Sequence, residues 1–163
     1  MPKTLISKKQ KGFTLLEVLL VVAIIAILAG IVILAINPNK QLGDSRNAQR
    51  SADVNTILNA LHQYMLDNSG SLPGNGTGVA IPTSPTPAIE ICKAPGGTCT
   101  NLADIGTGLV SGTVKYLTAI PIDPKNPGAN LGNGYKIQKD ASGRITVDAS
   151  LYAENSKTIS VTR

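Results

Sequence analysis

The sequence predicts an α+β protein with an apolar N-terminal helix, a second, amphipathic helix and a β-rich C-terminal part. Residues 13–36 contain 21 apolar residues in 24 positions. In residues 40–68, apolar side chains recur at three- and four-residue steps, which is the period of an amphipathic helix. Residues 135–138 and 144–147 alternate apolar and polar on either side of a Gly-containing turn, which predicts a β-hairpin.

The run from Val18 to Ile36 contains 19 residues without a charged or polar side chain. Membrane spans need about 17–25 such residues, so the run is long enough to cross a bilayer once. The apolar region of a secretory signal is only about 7–15 residues long and ends in a small-residue cleavage site. The present run is longer and has no such site, so a secretory signal is excluded. A lipoprotein signal is excluded because no Cys ends the run. A plain single-pass anchor fits the hydropathy but leaves Glu17 unexplained.

The net charge of +5 is concentrated at the N-terminus, because four of the 15 basic residues and none of the acids lie in the first 12 positions. These four are Lys3, Lys8, Lys9 and Lys11. Basic residues before an apolar span put the N-terminus in the cytoplasm. Aromatic residues make up only 3% of the chain, which argues against a stacking surface for single-stranded nucleic acid.

Glu17 is the only ionisable residue in the apolar block. An acid at the centre of a membrane helix costs about 2.5–3.5 kcal/mol, and less near an end, so Glu17 is either hydrated near the headgroups or functional. It ends the string KKQKGFTLLE (residues 8–17), in which a Gly, an aromatic residue and, four residues later, the acid follow a basic stretch. This string resembles the class III signal of the type IV pilin superfamily, which includes pilins and the pseudopilins of type II secretion and competence systems.

The resemblance implies that a prepilin peptidase cuts between Gly12 and Phe13 and methylates the new amine of Phe13. A Gly at the cut leaves no side chain to obstruct access to the peptide bond. The resemblance also implies that Glu17 pairs with the Phe13 amine of another subunit and sets the register of a filament, since pairing lowers the cost of both poorly solvated charges. We therefore expect Glu17 to act in assembly and not in catalysis.

The resemblance further implies a pilin-like fold, in which one long N-terminal helix, transmembrane and then amphipathic, packs on a small antiparallel β-sheet head. The chain then divides into a cytoplasmic leader peptide (1–12), a transmembrane and filament-core helix (13–36), the amphipathic half of the helix (37–69) and the head (70–163). Pro38 predicts a kink or break near residues 34–38. Small residues in the core helix allow close helix approach. They are Ala23, Ala26, Ala29 and Gly30.

As a structural subunit, the chain is expected to have the prepilin peptidase, other pilin or pseudopilin subunits, and the inner-membrane assembly platform with its ATPase as partners. It is expected first as a single-pass protein of the inner membrane with a cytoplasmic N-terminus, then as a periplasmic or extracellular filament. The filament's role would be adhesion, motility, DNA uptake or protein secretion. The rival hypothesis is a membrane-anchored minor pilin that acts as an adhesin or DNA receptor. An enzyme is least favoured, because no nucleophile, base and acid occur together in a recognisable motif.

Nucleic acid is not expected as a partner. Removal of the leader leaves 11 basic residues against 10 acidic ones, and the basic residues are scattered. DNA binding stays as an alternative because three basic residues lie around the hairpin: Lys136, Lys139 and Arg144.

Within the second helix, we expect the apolar stripe to face the sheet and a polar set to lie on much of the opposite face. The apolar set is Val54, Ile57, Leu58, Leu61, Tyr64 and Met65, and the polar set is Arg46, Asn47, Arg50, Asn55, Asn59 and Gln63. His62, the only histidine, has no second ligand nearby in sequence, so no metal site is predicted there.

Residues 70–88 are rich in Gly and Pro and are expected to form an irregular connection. Cys92 and Cys99 enclose a short loop, so an exported head favours a disulfide between them, with two free thiols as the alternative. Residues 114–119 are read as β structure, and residues 149–152 and 158–162 are expected to extend or add strands.

Residues 120–124 (Ile-Pro-Ile-Asp-Pro) are predicted to form a rigid turn. In several pseudopilins of the superfamily the corresponding loop binds calcium, and here Asp123 and Asn126 are the candidate oxygen ligands. Calcium sites generally need a dense cluster of carboxylates, which is lacking here, so a purely structural turn is favoured. We expect no cofactor, with calcium as the less favoured alternative.

Overall fold

The computed structural model describes residues 12–74, 80–93, 99–126, 128 and 131–163. The chain divides into two compact units, residues 1–39 and residues 40–163. Residues 1–11, which hold the basic part of the expected leader, lie outside the described residues.

The first unit contains helix α1, Leu15–Ala35. Its 21 residues, at about 1.5 Å each, extend over roughly 32 Å, and its length and composition meet the requirements of a membrane-spanning helix. None of its residues is buried within the chain. The helix ends at Ala35, its C-cap Ile36 has an extended backbone, and the next helix begins at Pro38. The break predicted near residues 34–38 is therefore confirmed, and a continuous helix through this point is wrong, because a proline ring clashes with the preceding turn.

Helix α2, Pro38–Asp67, contributes the helical layer of the second unit. Proline suits its first position because the missing N–H has no partner within a helix there. The helix ends where Gly70, with a φ of +81°, donates its N–H to the carbonyl of Met65 at 2.8 Å. Glycine adopts this left-handed conformation without steric cost, which accounts for the stop at this point.

The second layer is a sheet of four antiparallel strands in the spatial order β1-β2-β3-β4. The strands are β1 (Ile89–Cys92), β2 (Gly132–Lys139), β3 (Ile145–Asp148) and β4 (Ser160–Thr162). A one-turn helix, α3 (Gly106–Leu109), lies between β1 and β2 in sequence. The α+β class and the small antiparallel sheet are confirmed.

The hydrophobic core of the second unit lies between α2 and the sheet. The apolar stripe of α2 (Val54, Ile57, Leu58 and Leu61) is completely buried. It packs with the inward-facing residues of the sheet and of the β1–β2 connection. These are Ile91, Tyr135, Ile137, Ile145 and Val147, together with Ile105, Leu109 and Ile120. The periodicity of α2 and the alternation of the hairpin are therefore both explained by one core.

Three expectations about the head are wrong. Residues 114–119 form no strand, because Tyr116 and Leu117 donate their backbone N–H groups to Leu109 and not to a neighbouring strand. Residues 150–152 form a turn, whereas the strand expected in residues 158–162 is present as β4, which pairs with β3. The polar face of α2 is also assigned incorrectly, since Asn47 and Arg50 are completely buried.

Candidate processing and assembly site

The expected cleavage site lies immediately before helix α1. Thr14 is the N-cap of α1, with an extended backbone, and its Oγ1 accepts the N–H of Glu17 at 3.2 Å. Gly12 and Phe13 therefore lie outside the helix, and Phe13 is 82% exposed. A Cβ at Gly12 would meet no atom within 4 Å, so nothing in the fold itself requires glycine there. The bond between them therefore joins two exposed residues that lie outside the helix.

Glu17 lies in the first turn of α1, three residues after the N-cap. A Thr followed three residues later by Glu is the sequence signature of a capping box. Of the two hydrogen bonds of such a box, the one from the Glu17 N–H to Thr14 Oγ1 is present here. A negative side chain in the first turn also interacts favourably with the positive end of the helix dipole. The sequence analysis missed this local role, although the spacing of Thr14 and Glu17 contains the signal for it.

The rest of α1 has an apolar surface that the chain itself does not cover. Its large apolar side chains are between about half and nine-tenths exposed, for example Ile24 at 49% and Leu34 at 89%. A surface of this size does not stay in water, so it is covered by lipid or by other apolar helices. A Cβ at Gly30 would meet no atom within 4 Å outside its own helix backbone, so the glycine leaves room for another helix to approach closely.

The head contains a buried polar cluster that the sequence analysis did not anticipate. We call it the Arg50 cluster and define it as Asn47, Arg50, Asp123 and Glu154. The Arg50 guanidinium donates from Nε to Asp123 Oδ2 at 2.6 Å and from Nη2 to Asp123 Oδ1 at 3.0 Å. Its Nη1 donates to Asn47 Oδ1 at 2.8 Å and to Glu154 Oε2 at 3.1 Å. Both the Arg50 and Asp123 side chains are completely buried.

Glu154 connects the cluster to solvent. Its carboxylate accepts both Nε and Nη2 of Arg46 at 2.6 Å and lies 2.7 Å from Lys125 Nζ. These hydrogen bonds, that of Arg46 first, lower the pKa of Glu154 well below its ordinary value. The Asn47 amide donates to the Glu154 carbonyl at 2.7 Å and accepts its N–H at 3.1 Å. The chain around Glu154, which we call the 154 segment, is therefore attached to α2 through both the backbone and the side chain of Glu154.

The Arg50 cluster joins α2 to two segments distant in sequence. Arg50 precedes Val54 by four residues and Asn47 precedes Arg50 by three, so both continue the buried stripe of the helix toward its N-terminus. This spacing is the signal that could have identified them. The hydrogen bond to Asp123, ahead of all other influences, raises the pKa of Arg50, which therefore remains charged.

The two calcium candidates already have partners within the protein. Both carboxylate oxygens of Asp123 accept from Arg50, and Oδ1 also accepts the N–H of Lys125 at 2.8 Å. Asn126 donates from Nδ2 to the Gly132 carbonyl at 2.8 Å, and its Oδ1 accepts the N–H of Gly128 at 3.0 Å. Within the described residues, no three His, Cys, Asp or Glu side chains come together as a metal site. These residues do not fit calcium, because an ion at Asp123 would have to displace a buried guanidinium.

Cys92 and Cys99 are joined by a disulfide, with their Cα atoms 5.7 Å apart. Both cysteines are buried, and Cys92 is the last residue of β1. The Cys92 N–H donates to the Ala103 carbonyl at 2.8 Å, so the disulfide lies beside a segment that pairs with β1. It closes a short loop at the edge of the sheet.

A second buried polar contact lies between α2 and β2. The Tyr135 hydroxyl donates to Asp53 Oδ2 at 2.6 Å, and Tyr135 is completely buried. Burial, followed by the hydrogen bond to Asp53, raises the pKa of Tyr135. Burial likewise raises the pKa of Asp53, while the hydrogen bond from Tyr135 lowers it. The phenol is thus fixed as a donor and the carboxylate as an acceptor at the helix–sheet interface.

The basic residues of the hairpin are balanced by acids. Arg144 Nε donates to Asp140 Oδ2 at 2.7 Å across the turn. Lys136 in β2 has Glu90 on one side and Asp148 on the other as its cross-strand partners. Acidic residues thus lie next to Arg144 and Lys136, which argues against a basic patch of the kind that binding to a phosphate backbone needs.

Comparison with known proteins links the N-terminal site to a family. The family model of the prokaryotic N-terminal methylation motif matches residues 7–33, which contain the Gly12–Phe13 bond and Glu17. The type II secretion system core protein G of Vibrio cholerae is 43% identical over 84 residues, covering 49% of this chain and 56% of that protein. The core protein G of Aeromonas hydrophila is 39% identical over 84 residues, covering 51% of this chain and 57% of that protein. No solved structure matches the chain.

The chain thus combines this motif with an exposed apolar helix that is long enough to span a membrane and with a small antiparallel sheet. The chain is similar to prepilin-type proteins over this N-terminal motif and to the core protein G of type II secretion systems over about half of its length. It spans about half the length of the curated relatives described above.

Proposed function

We propose that the chain is a pseudopilin, a structural and non-enzymatic subunit of a filament that works in type II protein secretion. The observation that carries this proposal is the combination of an accessible Gly12–Phe13 bond with an apolar helix that nothing in the chain covers. Such a helix suits two successive environments, the bilayer before assembly and the core of a filament afterwards. The relatives named for type II secretion favour that system over a motility or DNA-uptake pilus.

In this proposal, a prepilin peptidase cuts after Gly12 on the cytoplasmic side of the inner membrane and methylates the amine of Phe13. Because helix α1 begins only after Thr14, the bond after Gly12 lies outside the helix and the peptidase does not have to unwind a turn. The subunit is then extracted by the assembly platform and its ATPase into a periplasmic or extracellular filament.

Glu17 would pair with the Phe13 amine of a neighbouring subunit and fix the vertical offset between helices. A buried carboxylate and a buried ammonium are each costly alone, so only the register that pairs them is favourable. The first-turn position of Glu17 supports this role, because it holds the carboxylate at the end of the helix where the new amine forms.

The test replaces Glu17 with Val in the full chain, with Val18→Leu as the control for a change of apolar shape at the next position. We expect Glu17→Val to be cleaved and retained in the membrane while the yield of sheared filaments falls at least tenfold. Val18→Leu should give a normal yield. Normal filament yield from Glu17→Val would refute the pairing.

Mass spectrometry of the protein from sheared filaments tests processing. We expect an abundant species that begins at N-methylated Phe13. An uncleaved form found only in membranes would contradict the proposed function. The second candidate, a membrane-anchored minor pilin that binds an adhesion target or DNA, is favoured if the processed chain is a trace component of filaments built from another subunit.

A further inference from the structure

We propose that the guanidinium of Arg50 is the fixed cation that joins the turn of residues 120–124 and the 154 segment to helix α2, so that the head folds without a divalent metal ion. This inference concerns the stability of the head and does not depend on the proposed role in secretion.

The geometry around Arg50 is that of oxygen ligands gathered about one positive centre. Four oxygens converge on the guanidinium at 2.6–3.1 Å. They are the two carboxylate oxygens of Asp123, Oε2 of Glu154 and Oδ1 of Asn47. Carboxylate and amide oxygens from separate segments are also the ligands that calcium takes in proteins. Here the guanidinium occupies the position where the oxygens meet.

Arg50 can hold this position permanently because its own chain segment is fixed. Val54, Ile57 and Leu61 continue the stripe of Arg50 along α2 and are completely buried against the sheet. The guanidinium is therefore held by the same packing that holds the helix, and it keeps its charge throughout the physiological pH range. A metal ion would instead have to be captured from solution at its free concentration.

Glycines allow the partner segments to approach this closely. A Cβ at Gly43 would lie 2.9 Å from Asn155 Nδ2, next to the Glu154 contact. Gly134 in β2 has a φ of +94°, and a Cβ there would lie 2.6 Å from the Cβ of Asp123. Gly43 thus allows the segment around Glu154 to approach α2, and Gly134 allows the segment of Asp123 to approach β2.

The first experiment measures thermal unfolding of the full wild-type chain in detergent, by circular dichroism, in EDTA and in millimolar calcium chloride. We expect equal midpoints in both. A calcium ion bound at a hundred times its Kd would raise the midpoint by roughly 10 °C, so a rise of that size would overturn the proposal. Magnesium chloride at the same concentration controls for ionic strength.

The second experiment compares Arg50→Ala with Arg46→Ala, which removes a partly exposed arginine bonded to the same Glu154. In EDTA, Arg50→Ala should unfold roughly 10–20 °C lower than the wild type, and Arg46→Ala only a few degrees lower. Calcium should partly restore the midpoint of Arg50→Ala and leave that of Arg46→Ala unchanged. The proposal is overturned if Arg50→Ala unfolds at the wild-type midpoint in EDTA. It is also overturned if calcium does not raise the midpoint of Arg50→Ala at all.

Arg50→Lys keeps a cation but loses the planar fork, and it provides a measurement if Arg50→Ala does not fold. We expect a midpoint below that of the wild type and no response to calcium, because the ammonium still occupies the site. A calcium response in Arg50→Lys equal to that expected for an empty site would contradict the role of the fixed charge.

Discussion

The buried pair of Arg50 and Asp123 is expected to be the most sensitive polar contact of the head. Arg50→Met keeps the apolar stem and removes the guanidinium, which leaves the Asp123 carboxylate buried without its cation. The side chain of Asp123 has no exposed surface, so water cannot replace the two hydrogen bonds that it loses. Removal of one partner from a buried ion pair costs about 3–5 kcal/mol, which is a large part of the ~5–15 kcal/mol that stabilises a domain.

A double-mutant cycle separates the pair from the other contacts of Arg50. Asp123→Asn preserves the shape of the side chain and an acceptor for the Lys125 N–H but removes the charge. We expect it to cost less than Arg50→Met, because Arg50 keeps Glu154 as an anionic partner. The losses of unfolding free energy in Arg50→Met and in Asp123→Asn should add up to about 1–3 kcal/mol more than the loss in the double variant. The reason is that the second substitution removes a charge that the first has already left unpaired.

The assay is urea unfolding of the full chain in detergent, followed by circular dichroism. Arg46→Met serves as the control, because Arg46 is partly exposed and its loss should cost no more than about 1 kcal/mol. Additive costs in the cycle, or a loss from Arg50→Met no larger than that of the control, would refute the reasoning that this pair is the buried anchor of the two segments.

Three further expectations concern the head. Arg46 and its neighbours lower the pKa of Glu154 below its ordinary value of 4.5. The stability that the ionised Glu154 gives to the folded head is therefore complete above pH 4.5 and is lost as the pH falls below it. Unfolding midpoints should drop on acidification, and they should drop less in Glu154→Gln. Tyr135→Phe should lower the free energy of unfolding in urea by about 1.5 kcal/mol. This value is near the low end for a hydrogen bond to a charged group, because Asp53 is only half-buried. The cost should be smaller in an Asp53→Asn background. Replacing both cysteines with Ala should cost about 2.4 kcal/mol by chain entropy for a sequence separation of seven, and a reductant should then have no further effect.

The sequence was sufficient for every feature that depends on local pattern. The membrane helix is recognisable because 19 apolar residues in a row have no other stable environment than lipid or other apolar helices. The break at Pro38 follows from the chemistry of one residue. The hairpin of β2 and β3 follows from alternation around a Gly-containing turn, with Ile137 opposite Val147.

Short strands were harder to predict. The strand β1 has only four residues between a Pro-rich segment and a Gly-rich loop, so its pattern is too brief to distinguish from irregular chain. Residues 114–119 have a suitable composition for a strand, but their N–H groups bond to the end of α3. A partner strand distant in sequence decided the first case, as is usual for β structure, whereas a nearby carbonyl, that of Leu109, decided the second.

The proposed processing site could be predicted from the sequence alone, because it is a linear string: a basic stretch, Gly12, Phe13 and Glu17. The Arg50 cluster was decided only by the tertiary structure. Arg50 and Asp123 are 73 residues apart, and Glu154 is 104 residues from Arg50. A charged residue on a helix is most often solvated, and only the folding of two distant segments over this end of α2 removes Arg50 from water and supplies its anions. The sequence therefore determined which helix could span a membrane and where the chain is expected to be cut, while long-range packing determined how its head is held together.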